Sequence, residues 1–134
     1  MVKDAEKHTG PVWATEGDPR VTRVGRVLRK LRLDEVPQFL NVLKGEMSLV
    51  GPRPERPYFV AQLMHVFPLY IRRLRVAPGI TGWAQVKWGY DRSLRDVQEK
   101  LKYDLFYIEN MSLRMDLKIL LRTVWVALRG KGAY

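Results

Sequence analysis

Two carboxylates stand side by side behind a run of cations. Residues 20–32 carry six basic side chains and no acidic one, and Asp34-Glu35 follows almost at once. An ionised carboxylate can attack phosphorus as a nucleophile, or serve a divalent cation as a hard oxygen ligand. Neighbouring positions on a helix point about 100° apart, so one carboxylate could attack while the other holds the ion. The same residues also suit plain structure, because Asp commonly caps a helix and Glu in a first turn favours the helix dipole. The residues by themselves leave both readings open.

Three further groups bear on chemistry. In Gly51-Pro52-Arg53-Pro54-Glu55 two prolines stiffen the backbone around an arginine and so fix where its guanidinium points. A fixed guanidinium suits bidentate binding of phosphate or of a flat polar ring, although a structural turn with a solvated Arg has the same spelling. In Pro78-Gly79-Ile80-Thr81-Gly82-Trp83 the two glycines allow close backbone approach. Trp83 and Trp88 suit either a core or a membrane interface. Tyr103, Asp104, Tyr107, Glu109 and Asn110 form the last group, with Asp104 able to pair with one of the arginines. Arg20, Arg23, Arg26, Arg29 and Arg32 recur every third residue. Each such step turns about −60° around a helix, so only two or three of them can face one site.

The elements that must hold these groups are mostly helical. Asp18-Pro19 reads as the start of a helix running to about residue 30, with Val21, Val24, Leu28 and Leu31 as its apolar stripe. Asp34 reads as the cap of a second helix that Gly45 stops. Residues 47–50 form a short extended run, 56–66 a third helix, and 80–88 the best strand candidate. Ser93 with Asp96 is a capping-box variant opening a helix to about residue 108, and Ser112 opens the last, through residue 128, with Gly130 past its end. About five helices and a little strand make a mainly helical α+β domain. The last helix is apolar over most of its circumference, which suits either core packing or the headgroup layer of a membrane.

At 134 residues the chain has room for one domain, residues 1–134, with 1–17 as a loosely ordered lead-in. It has no cysteine, which excludes disulfides, thiolate metal sites and a Cys nucleophile. Twenty-four Lys plus Arg against 14 Asp plus Glu give a net charge of +10, so an anionic partner is expected. The longest charge-free stretch, 57–71, has 15 residues and contains Pro68, too short and broken for the roughly 20 that a span requires.

Taken in order, Asp18-Pro19-Arg20-Val21-Thr22-Arg23-Val24-Gly25-Arg26, Leu33-Asp34-Glu35-Val36-Pro37-Gln38, the run from Asn41 to Pro54, the run from Pro78 to Val86, and Asp116-Leu117-Lys118-Ile119-Leu120 closely resemble the bacterial sugar transferase family. These are monotopic polyprenyl-phosphate phosphoglycosyltransferases. The resemblance runs from about residue 4 to the C-terminus. It implies transfer of a sugar-1-phosphate from a UDP-sugar to polyprenyl (undecaprenyl) phosphate, releasing UMP, at the start of exopolysaccharide or glycoconjugate assembly. It also implies Asp34 as nucleophile, through a phosphosugar-aspartyl intermediate, and Glu35 as holder of Mg²⁺. Arg29 and Arg53 match phosphate- or nucleotide-binding positions. The implied setting is the cytoplasmic face of the bacterial inner membrane, against an anionic surface; self-association is left open.

Family members normally carry a membrane-dipping helix and a basic-aromatic segment before this region. The chain therefore reads as most of a catalytic domain without its anchor, expected to be inactive or nearly so alone. Two other functions fit the charge: a nucleic-acid-binding module built on residues 20–32, and a non-catalytic membrane-surface remnant of the enzyme. The first explains neither Asp34-Glu35 nor the proline-fixed Arg53, and no stacking aromatics interleave its arginines, so nucleic acid is not expected as the partner.

Overall fold

The computed structural model describes residues 2, 5–7, 10–12, 18–30, 33–88 and 93–129. In chain order these form α1 (Arg23–Lys30), a 3-10 turn (Leu33–Glu35), α2 (Gln38–Leu43), β1 (Ser48–Val50), α3 (Pro57–Val66), a 3-10 helix (Pro68–Arg75), β2 (Gly79–Thr81), α4 (Trp83–Lys87), α5 (Leu94–Glu109) and α6 (Leu113–Leu128). The domain is mainly helical with one small parallel sheet, as the sequence predicts. No described helix is long and apolar enough to cross a membrane.

The capping chemistry of α5 and α6 is as expected. Ser93 accepts the amide of Asp96 and returns its hydroxyl proton to the Asp96 carboxylate, and Ser112 accepts the amide of Met115. Each cap satisfies a donor that the first helical turn leaves without a partner. Gly130, expected as a stop signal, lies outside the described residues, as do Leu31 and Arg32.

Three readings of the sequence are corrected. The first helix begins at Arg23 and not at Asp18, because Thr22 caps it by accepting the Gly25 amide at 3.0 Å. The Asp18 carboxylate is instead taken by Arg20, through Nη2 at 2.6 Å and Nε at 2.9 Å. Asp34 caps no α-helix: it sits in the 3-10 turn, and α2 starts only after Pro37, with no side-chain cap. The strand expected over 80–88 ends at Thr81, and Trp83–Lys87 turns into α4. A short apolar run satisfies both periodicities, and here the packing of Trp83 and Ala84 into the interior selects the helix. The segment after Pro68, which showed only a basic cluster, is an eight-residue 3-10 helix. The lead-in is tethered in part as well: Glu6 forms a two-pronged ion pair with Arg56, at 2.5 and 2.6 Å. That hydrogen bond holds the Glu6 carboxyl below its ordinary value, so the tether's contribution is fully present above the ordinary Glu range and is lost as pH falls below that range through the lowered value.

Strand β1 pairs with β2 in parallel, Ser48 opposite Gly79 and Val50 opposite Thr81. The pairing requires glycine on both sides. A Cβ on Gly51 would stand 2.6 Å from the Ala77 carbonyl oxygen, and one on Gly79 would stand 2.6 Å from the Gly51 Cα. We expect Gly79→Ala to lower stability by about 1–3 kcal/mol or more in urea titrations, since backbone on both sides would have to yield.

The interior is in two parts joined by α5. Phe59 and Leu63 of α3, Tyr70, and Val97 and Leu101 of α5 form one cluster. Val50, Trp83, Tyr107 and Ile119 form the other, joining β1, α4, α5 and α6. Positions 97, 101, 104 and 107 lie on one face of α5 at helical spacing. Asp104 therefore falls at the junction of the two clusters.

Candidate active site

Between the two clusters lies a cavity of about 320 Å³. Leu63, Tyr70, Val97 and Leu101 of the first cluster line it, with Val86, which packs against the second, and Ile80, Thr81, Ala84 and Thr123 beside them. Its polar groups are Glu35, Arg53, Glu55, Arg73, Gln85, Lys100 and Asp104. Gln85 is oriented by donating Nε2 to the Ile80 carbonyl at 3.0 Å, and the Thr81 and Thr123 hydroxyls meet at 2.7 Å.

The two motifs singled out in the sequence meet at this cavity. Arg53 Nη1 donates to Glu35 Oε1 at 3.1 Å across 18 residues of chain. Pro52 and Pro54 hold Arg53 at the end of β1, and the 3-10 turn between α1 and α2 holds Glu35. Asp34 precedes Glu35 directly and is exposed. No described residue hydrogen-bonds or ion-pairs with its carboxylate, so the capping account has no support in the geometry. The elements before and after it in the chain expose apolar side chains: Val27 and Leu28 on α1, Val36 after the 3-10 turn, and Phe39 and Leu40 on α2. Arg29 is half-buried on α1 and is not among the residues lining the cavity.

Asp104 has the partner its sequence position suggested, and the partner is Arg73. Arg73 Nε lies 2.7 Å from Asp104 Oδ2, with the two side chains 12% and 3% exposed. The same guanidinium donates Nη2 to the Arg53 carbonyl at 2.9 Å and Nη1 to the Tyr70 hydroxyl. Arg73 thus fastens α5, the 3-10 helix and the backbone of Arg53 to one another. Burial raises the Tyr70 phenol above its ordinary value, with Arg73 pulling the other way. The sequence missed this role because Arg72, Arg73 and Arg75 look alike; only the three-residue period from Tyr70 to Arg73 on a 3-10 helix distinguishes it. Lys100 and Gln85 were missed for want of any motif.

The other sequence candidates have structural roles. Tyr107 donates to Asp116 at 2.7 Å and ties α5 to α6, and burial first, then Asp116, raises its phenol. Trp83 is buried in the second cluster. Trp88 lines the cavity and lies against Tyr103, with ring centroids 6.4 Å apart. Helix α6 is packed on one side only: Ile119 is fully buried, while Leu113, Leu117, Leu121, Val124 and Leu128 are exposed.

Among the described residues, no three potential ligating side chains converge on one point. Glu35 nonetheless supplies hard carboxylate oxygens at the cavity, and Asp34 stands next to it in the chain. Mg²⁺ characteristically takes one or two carboxylates from protein and further oxygens from substrate phosphates, so this donor set fits it.

An acidic pair, a backbone-fixed guanidinium and a lysine around a cavity in a mainly helical domain define a site suited to phosphoryl-group chemistry. Comparison with known proteins agrees: the bacterial sugar transferase family model matches residues 1–130, and the chain belongs to that family. It is 51% identical, over 99% of its length, to a UDP-N-acetylgalactosamine-undecaprenyl-phosphate N-acetylgalactosaminephosphotransferase of Aeromonas hydrophila, covering 31% of that protein. It is 46% identical over 90% of its length to a UDP-glucose:undecaprenyl-phosphate glucose-1-phosphate transferase of Escherichia coli K12, covering 26% of it. A Caulobacter vibrioides protein of the same description is 46% identical over 90% of the chain, which covers 46% of that protein. The chain thus spans less than half the length of each of these relatives.

Proposed function

We propose that this chain is the catalytic part of an enzyme that transfers a sugar-1-phosphate from a UDP-sugar to polyprenyl phosphate, with release of UMP. One observation carries the reading: the ion pair between Glu35 and Arg53, which joins the acidic pair and the proline-set guanidinium at one cavity. Its relatives' names supply the substrate class.

Asp34 attacks the sugar-bearing phosphorus of the UDP-sugar. The bond from that phosphorus to the bridging oxygen breaks, and UMP leaves with the electron pair. The phosphosugar-aspartyl ester is then attacked by a phosphate oxygen of the polyprenyl phosphate, which restores the Asp34 carboxylate. The exposure of Asp34 suits this second step, and so do the exposed apolar side chains of α1 and α2, because the acceptor arrives on a lipid. Arg53 leaves Glu35 to take the diphosphate, and Lys100 adds positive charge within the cavity. Phosphoryl transfer depends mainly on such positioned charge. Glu35 would hold Mg²⁺, which supplies screening of the phosphate charge when bound. The apolar faces of α1, α2 and α6 and the net charge of +10 favour seating on an anionic membrane surface.

The test is UMP release from a panel of UDP-sugars with undecaprenyl phosphate. It is run on this chain and on the chain joined to the N-terminal part of the Aeromonas hydrophila relative. The joined form is expected to turn over with at least one UDP-sugar, and no release with any sugar would refute the proposal. In the active form, Arg53→Lys keeps the charge but loses the fork, and is expected to raise KM for the UDP-sugar about tenfold or more.

A further inference from the structure

On the other side of α4 from the cavity, three cations gather around one ring. Lys87 Nζ, Lys118 Nζ and Arg122 Cζ lie 4.9, 5.3 and 5.1 Å from the centroid of Trp83. All three are therefore within about 10 Å of one another, one Debye length at 0.1 M salt, and repel with little screening. Among the described residues no carboxylate pairs with any of them. That sets them apart from the cations the fold uses elsewhere. Arg20 has Asp18, Arg53 has Glu35, Arg56 has Glu6 and Arg73 has Asp104.

Attraction to the Trp83 ring offsets part of the repulsion, because the ring face is the negative end of its quadrupole. It does not neutralise three charges. Trp83 is nearly all buried and fixes the cluster's centre, while Lys87 and Lys118 are exposed and Arg122 is half-buried. Arg122 offers a planar fork for two oxygens, and the lysines offer mobile ammonium groups on either side of it. Three unpaired cations on a rigid base, reachable from solvent, match the charge and size of a phosphate group.

We propose that Lys87, Lys118 and Arg122 around Trp83 form a phosphate-binding site separate from the cavity. The phosphate reaches it either as a free ion or as the headgroup of an anionic lipid. The lipid source is geometrically open because Leu117 and Leu121 lie exposed on the adjoining face of α6.

The test uses the whole 134-residue chain, K118Q/R122Q, and R75Q/R95Q as a control with the same change in net charge. One arm measures melting temperature against inorganic phosphate, with ionic strength held constant by sodium chloride. The other measures co-sedimentation with vesicles of phosphatidylglycerol in phosphatidylcholine, and with phosphatidylcholine alone. A phosphate-dependent rise in melting temperature that K118Q/R122Q loses and the control keeps supports a free-ion site. Affinity for the anionic vesicles that falls about 20-fold in K118Q/R122Q, but less than about twofold in the control, supports a headgroup site. Neither ligand acting, or equal losses in both variants, would overturn the proposal. Without added anion K118Q/R122Q is expected to melt no lower than wild type, since it relieves repulsion; if it does not fold, Lys87→Gln is read in its place.

Discussion

Asp34→Asn is expected to cut sugar-phosphate transfer by on the order of 10³-fold or more while leaving the fold intact. The two halves of that expectation rest on different observations. Asp34 is exposed and caps no α-helix, and no described residue takes its carboxylate, so the substitution removes no contact. Surface changes of that kind usually shift stability by within about 0.5 kcal/mol. The loss of activity follows because the side-chain amide of Asn cannot form the phosphosugar ester, and on the proposed mechanism Glu35 is given over to Mg²⁺. Thermal melts of the two proteins should superimpose while UMP release separates them. A variant that lost stability in proportion to activity would return Asp34 to a structural role.

Asp104→Ala is expected to do the reverse, unfolding the domain before any question of catalysis arises. It leaves the Arg73 guanidinium nearly buried beside Tyr70 with no counter-charge. Removing one partner of a buried ion pair costs about 3–5 kcal/mol, a large share of the roughly 5–15 kcal/mol that holds a domain folded. The replacement of both partners, Arg73→Met with Asp104→Leu, should recover most of that stability, since apolar pairs of similar volume often do as well as the ions. It should not recover activity. Arg73 also holds the Arg53 carbonyl, and without that bond the proline loop loses its fastening to α5. Urea titrations of Arg73→Met, Asp104→Leu and the double variant form a cycle that isolates the coupling. KM for the UDP-sugar should rise in the stable double variant more than kcat falls, because Arg53 acts on substrate phosphate.

What could be read from the residues alone divides along a physical line. Local signals were sufficient for α5 and α6, because Ser93 and Ser112 cap helices through atoms three residues away. Gly45, at φ +78°, closed the α2 region as glycine does where the chain turns left-handed. The reading failed where local and tertiary preferences compete. Asp18 and Asp34 both look like caps, yet Asp18 is drawn to Arg20 and Asp34 lies before a proline that delays the helix. Residues 83–87 read equally well as strand, and only burial of Trp83 decides.

The site shows the same division. Asp34, Glu35 and Arg53 were legible because a paired acid and a proline-flanked arginine are local patterns. Their meeting across 18 residues was not, since it depends on where β1 ends relative to α1. Arg29 matches a family position but does not line the cavity. Asp104 was legible as a carboxylate in want of a cation; which cation it takes is set by the 3-10 helix after Pro68, a form with no sequence signature here.

The central claim is that Asp34 carries the phosphosugar. It is tested most directly by intact-mass and peptide mass spectrometry of the active joined form, incubated with its UDP-sugar but no polyprenyl acceptor. A mass increase equal to the sugar phosphate, mapped to the peptide containing Asp34 and absent from Asp34→Asn, is the predicted result. Turnover by Asp34→Asn at the wild-type rate, or the same adduct on a peptide without Asp34, would contradict it.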